Sequence, residues 1–356
     1  MEWPPAVFHP ESSSQSAQVE IAHASAEERL QVFRQGWLSA PQAYETQIPD
    51  QVPTPGRYTV RMATPPPLQD PKRSHRPIPY LVYYPANPEP QDLFPVVLFS
   101  HGMGGSIMGY GFLGRYWASH GYVVIHPTHA GSDFKALQGY GDFWRFYDVL
   151  SLTPEHWLDR PHDVSFLIDQ LPSIEQSVPT LAGHLDKTRI GAGGHSYGAY
   201  TTLLLAGARV WPSSDKPPMA APDERIRAFL AFSPQGQGRF GLTARSWMAI
   251  HRPVLQMSGS QDFGDSGQPP LWRKDAFDGL PADGRKWFIL LDGASHFSFV
   301  GRQSGRPNPP LAAIHHFIQR ESLLFWDAWL KDDPAARAAL QRQTEEAPPG
   351  IQLYTK

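Results

Sequence analysis

Cysteine is absent from the 356 residues, which removes disulfides, thiolate metal sites and a cysteine nucleophile at once. The compartment stays open, because a chain without thiols suits reducing and oxidising surroundings alike. No run of 18 or more apolar residues occurs, so no membrane-spanning helix is expected. Charge of one sign is also lacking. Lys and Arg number 31 against 34 Asp and Glu, a net charge of -3, which calls for neither nucleic acid nor an anionic membrane as partner. Met1-Glu2-Trp3-Pro4-Pro5 lacks the basic and apolar regions of a signal peptide. As it stands the chain reads as unexported, cytoplasmic by default, with export after trimming left open. Hydrophobic residues at 41% and charged residues at 18% give a globular balance rather than a disordered one.

Proline is plentiful, 37 residues, and clusters in the first hundred positions. Residues 1–55 read as an N-terminal extension with one helix. There Ser25 and Glu28 have capping-box spacing, and Leu30, Phe33 and Trp37 share a face, as in a latch packed on the domain surface. From residue 56 to 333 short apolar runs recur: Tyr58–Met62, Ile78–Tyr84, Val96–Phe99, Tyr122–His126, Arg189–Ala192, Ile226–Phe232, Val254–Met257 and Trp287–Leu291. Helical stretches lie between them, among them Phe112–Ser119, Asp163–Leu171 and Tyr197–Ala208. Alternation of this kind predicts an α/β fold, a mostly parallel sheet of eight strands with helices on both faces. Residues 334–356 are expected to form a C-terminal helix and tail.

Gly194-His195-Ser196-Tyr197-Gly198 matches G-x-S-x-G, with a strand-like run before it and a helix-like run after it. In that setting the serine sits on a strained turn whose flanks tolerate no Cβ, so Ser196 is the candidate nucleophile. A serine hydroxyl needs a base, and the base an orienting acid. His296, in the small-residue loop beyond Trp287–Leu291, is the candidate base. For the acid, Asp262 follows the strand-like Val254–Met257 and a Ser-Gly-Ser turn, with Asp265 and Asp292 as rivals. Ser100-His101-Gly102-Met103-Gly104-Gly105 follows a buried strand and has the glycine content of an oxyanion loop. The backbone N–H groups of Met103 and Tyr197 are the candidate oxyanion donors, and His101 is read as structural.

Ser100–Gly105, Trp117–Val124, Gly194–Gly198 and Leu291–Phe297 together resemble α/β-hydrolase serine esterases. Two groups are similar: the platelet-activating-factor acetylhydrolase and dienelactone-hydrolase-like esterases of bacteria, and the bacterial cutinases and polyester hydrolases. The resemblance spans roughly residues 95–335 and implies an α/β-hydrolase fold. Departures are visible. Ser196 replaces the nucleophilic cysteine of true dienelactone hydrolases. The strand after the elbow helix, where acetylhydrolases carry their acid, reads Phe232-Ser233-Pro234, so the acid has to come from the later Asp262, as in cutinases.

Unlike cutinases, the chain inserts a long aromatic segment at about 130–160, including Phe134, Tyr140, Phe143, Trp144, Phe146, Tyr147 and Trp157. It is read as a cap over the site. His129, Phe143, Trp144 and Phe297 are the candidate substrate-pocket residues. No carboxylate cluster accompanies His126 and His129, so no metal or other cofactor is expected. The expected function is hydrolysis of small to medium carboxylic esters through an acyl-enzyme, the partner being a small-molecule ester. A cutinase-like polyester hydrolase, a lipase or thioesterase, and a non-catalytic binding protein of the same fold are the alternatives. The oligomeric state is left open.

Overall fold

Each of the eight apolar runs contributes a strand to one sheet in the computed structural model, which describes residues 46–301, 309–342 and 347–356. The helix expected near Ser25–Trp37 lies outside these residues. In chain order come β1 (Val60–Ala63), β2 (Leu68–Asp70), β3 (Arg76–Ile78), β4 (Tyr80–Pro85) and β5 (Phe94–Ser100). Then follow α1 (Gly111–Ser119), β6 (Val123–Pro127), α2 (Phe134–Tyr140), α3 (Phe143–Leu152), α4 (Asp159–Asp169) and α5 (Leu171–Ser177). The second half runs β7 (Leu185–His195), α6 (Tyr197–Ala206), β8 (Ile226–Phe232), β9 (Val254–Gln261), α7 (Asp275–Asp278) and β10 (Lys286–Ser295). It closes with α8 (Pro309–Leu330), α9 (Pro334–Arg342) and β11 (Ile351–Thr355). Among the described residues, no helix is long and apolar enough to cross a membrane.

Among the described residues the sheet has nine strands rather than eight, in the order β1-β4-β6-β5-β7-β8-β9-β10-β11, while β2 and β3 form a separate hairpin. From β6 to β10 all neighbours are parallel; β1–β4, β4–β6 and β10–β11 are antiparallel. The ninth strand corrects the expected tail. β11 alternates half-buried and exposed residues and is ordered by its pairing with β10, a contact that no local pattern announces.

Burial on both faces explains the continuous apolarity of the central strands. Along β5, Val96 and Leu98 join one core with Val164, Leu203 and Leu204. Val97 and Phe99 face the opposite core, with Trp117, Ile314 and Trp326. Gly191 in β7 is required there, since a Cβ would run into the rings of α8's Trp326. α2 and α3 are locally encoded as well. Asp133 accepts from the Ala136 N–H and Asp142 from the Arg145 N–H at their N-caps.

Strand order positions the site. The chain leaves β5 for β6 on one side and returns through β7 on the other. The loops after β5 and β7 therefore diverge at the C-terminal edge and leave a crevice between them, the place where open α/β sheets bind ligands.

Candidate active site

Ser196 stands between the last residue of β7 and the first of α6, with φ 55° and ψ −119°. A non-glycine residue in this region is strained by roughly 1–3 kcal/mol and persists only where its surroundings enforce it. They do so here. The Ser196 N–H donates to the Phe232 carbonyl at 2.9 Å, and the Ser196 carbonyl accepts from Ala199 and Tyr200 at 2.8 and 3.1 Å. An added Cβ at Gly194 would collide with the Gly198 carbonyl, and one at Gly198 with the Ser100 carbonyl. The motif glycines thus let the elbow press against the loop after β5.

His296 begins the single turn His296–Phe299 at the end of β10, capped by reciprocal Ser295 and Ser298 contacts. Its Nδ1 lies 2.9 Å from Asp262 Oδ1, just beyond β9. Asp262 is fully buried and also accepts from Ser258 Oγ at 2.9 Å. Of the three acids weighed from sequence, Asp262 is the one bonded to this imidazole. Asp292 instead meets Ser260 and the N–H of Gln47. Asp265 stands in the cleft wall, 4.0 Å from Arg239 Nε.

Arg273, for which the sequence carries no motif, is buried against the same acid. Its Nε is 2.6 Å from Asp262 Oδ1, and Nη1 and Nη2 donate to the carbonyls of Ser233, Pro234 and Phe263. Burial opposes ionisation of Asp262, but the charges of Arg273 and His296 outweigh it and hold the carboxyl well below its usual range. Arg273 Nη2 also lies 3.1 Å from His296 Nδ1. An ionised Asp262 can only accept, so Nδ1 carries the proton, donates it to Asp262, and has the Arg273 cation beside it. Burial first, and Arg273 with it, lower the His296 pKa against the opposing pull of Asp262.

The loop after β5 is held from below by buried polar groups. The His129 N–H donates to His101 Nε2 at 3.1 Å, which leaves the proton on His101 Nδ1 for the Gly102 carbonyl at 2.6 Å. Arg160 Nη2 donates to the His101 carbonyl at 2.6 Å, and its guanidinium lies 4.7 Å from the centre of the Tyr197 ring. Along the loop, the Gly102 N–H reaches Tyr110 Oη, the Gly104 N–H the Ser132 carbonyl and the Gly105 N–H the Gly102 carbonyl. The N–H groups of Met103 and Tyr197 donate to no acceptor among the described residues. His195 ties this loop to the His296 turn. Its Nε2 donates to the His296 carbonyl at 3.0 Å, and its Nδ1 accepts from Tyr110 Oη at 2.8 Å.

Ser196, His296, Met103 and Tyr197 border one cleft of about 410 Å³, its open mouth included. Phe143 and Tyr147 of α3 and Phe240 supply further apolar wall, while Gln235, Asp265 and Arg273 supply polar wall. Of the expected pocket residues, Phe143 lines this cleft. Trp144 packs behind it, edge-on to Phe143 and Tyr147, and Phe297 lies edge-on to His296 outside the lining. His129 is corrected. It is wholly buried, with Nδ1 2.9 Å from Asp163 and Nε2 3.0 Å from Ser100 Oγ, and burial pushes its pKa down to about 4. It is a neutral strut beneath the loop, cut off from any ligand.

A sequence model of the family described as platelet-activating factor acetylhydrolase, isoform II, matches residues 81–140. That stretch runs from β4 through the loop after β5 to α2 and stops short of Ser196. The platelet-activating factor acetylhydrolase of Cavia porcellus is 27% identical over 135 residues, covering 31% of this chain and 31% of that protein. The matched stretch thus spans less than a third of the relative's own length. Over that stretch the chain is similar to platelet-activating factor acetylhydrolases.

Proposed function

We propose that this protein is a carboxylic-ester hydrolase that works through an acyl-enzyme on Ser196, with His296 as base and Asp262 as its orienting acid. The observation that carries the proposal is one cleft bordered by Ser196, His296 and two unpaired backbone N–H groups, with the imidazole bonded behind to a buried carboxylate. In the first half-reaction Ser196 Oγ attacks the ester carbonyl and His296 Nε2 takes its proton. The oxyanion forms between the N–H groups of Met103 and Tyr197, where each donor is worth on the order of 3 kcal/mol to the transition state. Collapse expels the alcohol, which collects the proton from His296. Water then repeats the sequence in reverse and frees the acid. Because burial and Arg273 hold the His296 pKa down, the imidazole is a neutral base at neutral pH.

The α/β-hydrolase fold itself is part of this proposal, supported by the strand–turn–helix geometry at Ser196 and by the similarity to acetylhydrolases. The segment at about 130–160 acts as a cap, since α3 sends Phe143 and Tyr147 into the cleft. A cleft walled by such rings on one side suits discrete short esters over a polymer chain. Ser196→Ala is expected to abolish p-nitrophenyl acetate hydrolysis while the circular dichroism spectrum stays native. Activity that survives the substitution, or depolymerisation of a polyester film faster than turnover of soluble esters, would contradict the proposal.

A further inference from the structure

The cleft carries polar groups that the acyl-transfer chemistry does not use. Gln235 Oε1 and Asp265 Oδ2 are buried acceptors with no well-aligned hydrogen bond among the described residues, the Tyr147 hydroxyl being near enough to Asp265 to interact with it, and all three residues line the cleft beside Ser196. Gln235 and Tyr147 are only 7% and 8% exposed. Of the other polar residues there, Tyr197 Oη is likewise buried without a partner among the described residues, its ring against the Arg160 guanidinium, while Arg273 and His296 are committed. Arg273 spends its donors on Asp262 and three backbone carbonyls, and His296 holds Asp262. The nearest cation to Asp265, Arg239 Nε, stands at 4.0 Å, beyond hydrogen-bond reach.

The count of donors against acceptors gives the group its sign. A carboxylate accepts only, the Tyr147 and Tyr197 hydroxyls bring one proton each, and the Gln235 amide can turn to present oxygen or nitrogen. The carboxylate form of Asp265 offers several lone pairs against these few protons, so the wall has a surplus of acceptors. A ligand that enters meets a wall whose acceptors are already withdrawn from solvent. If it is wholly apolar it leaves the acceptors bare, and a site built to bond a hydroxyl or N–H rejects the analogue that lacks one.

We propose that the cleft selects esters carrying a hydrogen-bond donor, a hydroxyl or a protonated amine, bound by Asp265 with Gln235 and Tyr147. The inference rests on the esterase reading of the same cleft and adds a substrate class to it. It commits the site to a donor, not to positive charge as such.

Four acetate esters of one chain length test it, their alcohols ending in isopropyl, hydroxyl, dimethylammonium or trimethylammonium. The same four ends are placed on the acyl side of p-nitrophenyl esters. In at least one series the hydroxyl and dimethylammonium esters should exceed the isopropyl ester by about tenfold or more in kcat/KM. The trimethylammonium ester, charged but without a donor, should not. Asp265→Leu should bring both ratios to about one, and Asp265→Asn should lower the ammonium preference more than the hydroxyl preference. Equal rates across both series, a trimethylammonium ester as good as the dimethylammonium one, or a preference unchanged in Asp265→Leu would overturn the inference. Release of p-nitrophenol from p-nitrophenyl acetate keeps the two proposals apart. With that release and no donor preference the substrate class fails alone. Without any release from the unaltered protein, the esterase reading fails first.

Discussion

Removing the charge of Arg273 should make His296 more basic and move the acid limb of the pH–rate profile upward. Arg273 Nη2 lies 3.1 Å from His296 Nδ1, and its charge opposes protonation of the ring. At that distance two unit charges interact by about 1.3 kcal/mol in water and about 5 kcal/mol at an effective dielectric of about 20. One pKa unit corresponds to about 1.36 kcal/mol, so the limb of kcat/KM should rise by at least about one unit. Arg273→Gln is the suitable perturbation, since its amide can still serve a carbonyl such as that of Ser233. It also leaves Asp262 without its cation, which in a buried pair costs about 3–5 kcal/mol of stability, so a lowered melting temperature is expected beside the kinetic shift. Arg273→Lys keeps the charge and should leave the limb near its original position. The assay is kcat/KM for p-nitrophenyl acetate from pH 4.5 to 8.5, on protein with a native circular dichroism spectrum. A folded Arg273→Gln protein whose limb stays in place, or moves to lower pH, would refute the electrostatic account of this arginine.

Ser196→Gly should raise stability by about 1 kcal/mol while activity disappears, because glycine adopts φ 55° without the strain serine bears there. A lowered melting temperature would show that the elbow is relaxed as it stands. His195→Phe keeps a ring but loses the bonds to Tyr110 and the His296 carbonyl, so kcat should drop by about tenfold or more with the fold retained; unchanged kcat would remove His195 from any positioning role. Stability should fall steeply on acidification. His126, His129 and His315 are held by burial at about 4, below the ordinary value near 6.5, so the unfolded chain binds protons first. Their contribution is complete above about pH 6.5 and is lost as the pH falls toward 4. Below that, Asp163 and Asp262, both held below the usual carboxyl range, extend the loss. Thermal melts between pH 7 and 4 check this, and a flat profile would contradict it.

What was legible in the sequence follows from how locally each feature is encoded. Val96 to Phe99 read as a doubly buried strand because every side chain in it faces one core or the other. The elbow was legible because Gly194 and Gly198 are demanded by backbone contacts within and beside the motif. His296 and Asp262 could be named because loops at the ends of parallel strands converge on one sheet edge. Other features depend on distant partners. Arg273 lies on the 3-10 turn Pro270–Lys274 and acquires meaning only through Ser233, 40 residues away, and Asp262. His129 reads as a pocket histidine until α4 brings Asp163 to its Nδ1. β11 exists because β10 offers it an edge. Aromatic residues at about 130–160 announced large apolar contacts, but not which rings face the cleft and which, like Trp144, face one another.

The central claim, a nucleophilic Ser196 activated by His296, is tested most directly with a fluorophosphonate probe followed by peptide mapping. The account predicts one phosphonyl group per chain, carried on Ser196, with labelling that slows as His296 is protonated and is lost in His296→Ala. Absence of labelling, or a label carried on another residue, would contradict it.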